Sequence, residues 1–128
     1  MSMSSGYRAT IAFASQRKRR IFDIEEARQL FLERAADLCK RQGITEYSFR
    51  LEPPFAVVVS VTLPYGTTPE RFAHLLKQET SAVIRNRVEV LSKMPALWTR
   101  KVWWTEGELD PIKEEEMRLF FLLQRSRT

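Results

Sequence analysis

Residues 44–76, ITEYSFRLEPPFAVVVSVTLPYGTTPERFAHLL, decide the fold. Residues 44–51 read as a strand that stops at Glu52-Pro53-Pro54. From Phe55 to Thr62 the chain is a run of β-branched and aromatic residues, the pattern of a strand buried on both faces. The break between these runs is short enough to pair them as an antiparallel hairpin. Leu63-Pro64-Tyr65-Gly66 ends the second of them. Thr68 is then placed to cap a helix, with Pro69 at its first position, where a missing N–H costs nothing. The apolar stripe of that helix is Phe72, Leu75, Leu76, Val83 and Ile84.

Working outward from this core, Tyr7, Ala9, Ile11 and Phe13 alternate with Arg8, Thr10 and Ala12, which is strand periodicity. The consecutive basic residues Arg17, Lys18, Arg19 and Arg20 follow as a loop. Asp23 is in position to cap a helix, with Glu26 three residues later. Ile24, Ala27, Leu30, Phe31, Ala35 and Leu38 then repeat at three and four residues until Gly43. Downstream, the second helix fades over residues 88–94, and residues 97–105 read as an aromatic fourth strand. After the turn at Glu106-Gly107, Asp110 and Pro111 open a last helix carrying Met117, Leu119, Phe120, Phe121, Leu122 and Leu123. That helix is apolar over more than one face and must cover something beyond its own short stretch of sheet.

The order β-α-β-β-α-β-α predicts an α+β fold, the ferredoxin-like split βαβ arrangement with an antiparallel sheet and an added C-terminal helix. Residues 1–6 read as a loose polar tail and residues 7–126 as a single domain, which suits a chain of 128 residues. Residues 125–128 read as a basic, polar tail. Apolar residues at 44% and charged residues at 29% describe an ordinary globular protein, and no apolar run approaches a membrane span. One cysteine, Cys39, excludes an intrachain disulfide and suits a reducing cytoplasm. The 21 Lys and Arg against 16 Asp and Glu give a net charge of +5, compatible with a polyanionic partner. The bases gather at residues 17–20 and again at Arg85, Arg87, Lys93, Arg100 and Lys101.

Four segments, in order, resemble the insertion-sequence and REP-associated transposases of the single-tyrosine HUH family. YRATIAFASQRKRRIF (residues 7–22) resembles the family's first strand and basic turn. RLEPPFAVVVSVTLP (residues 50–64) resembles its Met-Pro-Asp-His-hydrophobic-His segment. Leu76-Lys77 with Ser81 resembles a Leu-Lys…Ser element on the second helix. Leu97-Trp98-Thr99-Arg100, with Gly107 beyond, resembles a Leu-Trp-Ser-Arg strand ending in a glycine turn.

The resemblance implies a chemistry that this sequence lacks. Such enzymes hold a divalent cation with two histidines at i, i+2 and a glutamine, and attack DNA with a tyrosine on the last helix. The histidine positions map to Phe55 and Val57, the tyrosine to Phe120, and Gln124 keeps the glutamine position. Independently of that mapping, the one histidine is His74, and the tyrosines are Tyr7, Tyr47 and Tyr65. No His-x-His pair exists, and the last helix has no tyrosine. The expectation is a protein that is not an enzyme of this kind, with no metal or other cofactor and no small-molecule substrate. Phe55, Val57 and Phe120 are expected to form one apolar cluster, within the chain or across a dimer.

The remaining singular residues carry plain and sharp readings together. His74 is a helical histidine or a substitute ligand, and Cys39 a buried or a reactive thiol. Arg17, Lys18, Arg19, Arg20, Arg100 and Lys101 are a solvated surface or phosphate contacts. Trp98, Trp103 and Trp104 stack on unpaired bases or fill the core, with the last two on opposite faces. Glu114 to Glu116 suit the dipole of the last helix, and Gln124 reads as solvent-facing. Three functions compete. They are a homodimer that recognises hairpin or single-stranded DNA without cutting it, a protein-interaction or structural module, and an RNA binder of the RRM kind. The first implies a prokaryotic cytoplasmic protein, found at the nucleoid when DNA-bound.

Overall fold

A computed structural model describes residues 6–124. The tails expected at residues 1–6 and 125–128 lie outside these residues, except for Gly6, which opens the first strand instead of ending a tail. The regular elements are β1 (Gly6–Ala14), α1 (Glu25–Arg41), β2 (Tyr47–Arg50), β3 (Ala56–Pro64), α2 (Pro69–Arg87), β4 (Trp103–Glu106) and α3 (Pro111–Leu122). The sheet order is β2-β3-β1-β4, and every neighbouring pair is antiparallel. This is the expected ferredoxin-like order with α3 added.

The sheet separates two apolar clusters, because successive side chains of a strand point to opposite faces. On one face Ala9, Ile11 and Phe13 of β1, with Val57, Val59, Val61 and Leu63 of β3, pack under α1 and α2. Phe31 of α1 is the hub there, edge-on to Phe22, Phe49 and Trp98. On the other face Ala12 and Ala14 of β1 and Ala56 and Val58 of β3 pack under Met117 and Phe121 of α3. The two-sided burial expected for β3 therefore holds over its first half, where α3 covers it, and lapses at Ser60 and Thr62.

Two helix starts follow the sequence reading. The Thr68 hydroxyl accepts from Arg71 N–H at 3.1 Å ahead of Pro69, and the Asp110 carboxylate accepts from Lys113 N–H at 2.8 Å ahead of Pro111. Asp23 does not cap α1. It sits in a 3-10 turn and takes Arg20 Nε at 2.8 Å, so Ile24 occupies the cap with no side-chain bond. The fourth strand is also shorter than the expected residues 97–105. Trp98 forms a lone bridge with Ser15, and pairing with β1 resumes only at Trp103. The cause is Lys77 of α2, whose ammonium donates to the carbonyls of Thr99, Arg100 and Lys101 at 2.8, 3.2 and 3.2 Å. Carbonyls turned toward a helix cannot also join a ladder.

Candidate functional site

The site implied by the sequence lies where the ends of β1 and β3 meet α3. Phe55 and Val57 do not come together there. Val57 lies opposite Phe13 in the cluster under α1 and α2, while Phe55 packs on the α3 side. Alternation fails between them because Phe55 precedes the strand, in a turn closed by Ala56 N–H to Pro53 O at 2.8 Å. The i, i+2 pair that faces α3 is Ala56 and Val58. Phe55 stands edge-on to Phe121 with centroids 6.1 Å apart, and Phe120 lies 5.4 Å from Phe121. The expected cluster thus holds Phe55 and Phe120 but not Val57.

Gln124 is buried rather than solvent-facing. Its Oε1 accepts from the Thr99 hydroxyl at 3.2 Å, and its Nε2 donates to Phe120 O at 3.0 Å. Both ends of the amide are engaged, so it ties α3 to the segment before β4. Among the described residues, no three His, Cys, Asp or Glu side chains gather closely enough to hold a metal ion.

The basic residues meet at the same end of the sheet. The chain turns after β1 with Arg17 and Lys18 in the left-handed region, at φ 58° and 53°. Gln16 N–H donates to Leu97 O at 2.9 Å and Thr99 N–H to Ala14 O at 2.9 Å, which lays the turn beside the segment leading to Arg100 and Lys101. Two of the four turn residues are committed locally. Lys18 Nζ donates to Leu122 O at 3.3 Å and lies over the Phe55 ring, and Arg20 pairs with Asp23. Arg17, Arg19, Arg100 and Lys101 are exposed, and none of them has a salt bridge among the described residues.

The tryptophans divide differently from a stacking platform. Trp98 is buried and donates Nε1–H to Thr80 Oγ1 at 3.2 Å, and Trp103 packs half-buried on the α3 side. Trp104 is 40% exposed but donates to the Glu70 carboxylate at 2.9 Å, an acidic neighbour unsuited to a polyanion. Cys39 is fully buried, and burial pushes its thiol up to about 11, the plain reading. His74 is exposed on α2. Sequence reasoning quotes Lys77 only within the Leu76-Lys77…Ser81 resemblance and gives it no role; burial pushes its ammonium down to about 8, and it also lies 5.3 Å from the Phe13 ring centre. Lys77 directly follows Leu76 of the α2 stripe, and that position gives no hint of a partner some twenty residues away.

No protein-family model matches this chain, and no curated protein sequence does. Among solved structures it is similar to a candidate transposase from Deinococcus radiodurans R1, with a TM-score of 0.83 at 13% identity over 99% of this chain and 100% of the other. It is also similar to a REP-associated tyrosine transposase bound to a REP hairpin, with a TM-score of 0.60 at 12% identity. That match covers 91% of this chain but only 64% of the longer protein. The chain therefore has the α+β fold of these transposase structures, the fold that its four sequence segments imply.

Proposed function

We propose that this protein binds hairpin or single-stranded DNA in the cytoplasm, as a homodimer, and does not cut it. The observation that carries the proposal is the end of the sheet where Arg17, Arg19, Arg100 and Lys101 stand exposed with no carboxylate partner among the described residues. Phosphate is the ligand that such unpaired cations suit. The hairpin-bound transposase of the same fold supports nucleic acid as its source.

The lack of cleavage rests on donor chemistry. A divalent cation of the kind the resemblance implies does not fit this chain. The mapped positions Phe55, Val57 and Phe120 offer no ligand or nucleophile, nor do Ala56 and Val58, the pair that faces α3. Gln124, the one retained polar group, has both amide ends bonded within the protein. The test is fluorescence anisotropy with a labelled DNA hairpin bearing an unpaired extension, over a salt series. The logarithm of affinity is expected to fall linearly with that of salt, by roughly 0.7–0.9 per phosphate contacted. Binding that is absent or indifferent to salt refutes the proposal. Strand scission or a covalent adduct with magnesium or manganese present refutes its second half.

A protein-interaction module is the second reading, favoured by the exposed Ile112, Leu119 and Leu122 on α3 and Leu123 just after it. The same residues are the surface through which two copies would pair. Sedimentation of the isolated protein separates the two: a dimer supports the first reading, and a monomer with no affinity for DNA supports the second.

A further inference from the structure

A cleft of about 350 Å³ runs between α2 and residues 95–100, with His74, Lys77, Ser81, Arg85 and Arg100 among its lining. His74, Lys77, Ser81 and Arg85 follow one another at three and four residues, so they share one face of α2. The charged residues that line the cleft are all cationic, and no Asp or Glu is among them.

Within this lining the donors are unequal. An ammonium has three N–H groups, and Lys77 directs its own at the carbonyls of Thr99, Arg100 and Lys101. Lys77 therefore supplies charge and fixes the facing wall, but has no proton left for a ligand. Arg85 is the reverse case. Its Nε is buried and has no acceptor among the described residues. A buried guanidinium N–H with nothing to bond is costly, and such a group calls for a partner. Ser81 and Arg100 beside it also have unbonded side chains among the described residues.

We propose that this cleft takes one phosphodiester of an unpaired DNA strand, with Arg85 as its principal donor and Ser81 and Arg100 beside it. The planar guanidinium fork matches two oxygens of a phosphate, and the Ser81 hydroxyl can donate to a third. The volume is at the small end of ligand pockets, the size for one nucleotide of a single strand rather than a duplex wall. Arg100 joins the cleft to the exposed cations of the basic turn, so a strand leaving a hairpin on that surface would reach Arg85 next. This inference rests on the DNA-binding reading and names a contact which that reading does not require.

The experiment compares wild type, Arg85→Gln and Ser81→Ala on a blunt hairpin and on the same hairpin with an unpaired extension. Because Arg85→Gln removes a buried N–H that has no protein partner among the described residues, the variant should melt no lower than wild type. It should bind the extended hairpin at least about tenfold more weakly, with a salt slope shallower by about 0.7, and the blunt hairpin as wild type does. Ser81→Ala should lose about threefold on the extended DNA alone, and it carries the test if Arg85→Gln fails to fold. Wild-type affinity of both variants for extended DNA overturns the cleft and leaves DNA binding standing. Equal losses on the two DNAs overturn the single-strand assignment. Wild type that binds neither DNA overturns both readings. Inorganic phosphate competing as well as a short oligonucleotide shows a simple anion site and overturns the strand reading.

Discussion

Replacing Phe121 by alanine tests whether α3 is held by the face that the structure buries. Phe121 is 7% exposed, under the sheet face formed by Ala12, Ala14, Ala56 and Val58, with Phe55 and Phe120 against its ring. A phenylalanine that buries about 150–200 Å² contributes about 4–5 kcal/mol at 25 cal/mol per Å². Alanine keeps a methyl's share of that. The small residues beneath cannot close the gap, so little of the loss is recovered. The expected destabilisation is about 3 kcal/mol, at the lower end for phenylalanine truncation because α3 is a terminal helix that can shift. Urea unfolding followed by circular dichroism measures it as a drop in midpoint at constant slope. Glu116→Ala is the control, since Glu116 is exposed on α3 with no salt bridge among the described residues and should change stability by no more than about 0.5 kcal/mol. A Phe121→Ala cost under about 1 kcal/mol would mean that α3 docks through its other face.

Lys77 makes stability depend on pH in a defined direction. Its folded value of about 8 lies below its ordinary 10.5, so between these the unfolded chain holds a proton that the folded chain has released. Stability relative to Lys77→Met should therefore rise with pH across that window and be flat below it; a flat difference throughout would refute the assignment. Gln124→Ala removes the Thr99 hydrogen bond and should cost about 1 kcal/mol by urea unfolding, whereas a solvent-facing Gln124 would cost nothing measurable. The Cys39 thiol, buried and pushed up to about 11, should react with a disulfide reagent only at the rate of unfolding; fast labelling of the native protein would contradict its burial.

What the sequence disclosed was local. Thr68-Pro69 and Asp110-Pro111 announced their helices because a cap and its N–H acceptor-seeking groups lie within three residues. The strand order followed from the alternation of short elements. What the sequence concealed was distant or one residue out of step. Residues 97–102 have strand composition, but Thr99, Arg100 and Lys101 surrender their carbonyls to Lys77, a partner on another element. Asp23 looked like a cap until Arg20 drew its carboxylate away. The alternation rule was sound at β3, but Phe55 was counted as part of a strand that begins at Ala56. That slip put Val57 on the wrong face, as one residue must. Gln124 was readable after all: it stands seven residues from Met117 and three from Phe121, on the stripe that α3 buries.

The docking of α3 also governs how this surface can change. Ala56 and Val58 are roofed by Met117 and Phe121, so a bulky imidazole introduced at either position meets filled space before any second group can join it. Each early step toward an ion-binding centre would carry strain and a stranded polar nitrogen with no compensating gain. Acquiring such a centre requires several coordinated replacements at once, which makes the roofed face a one-way door for mutation.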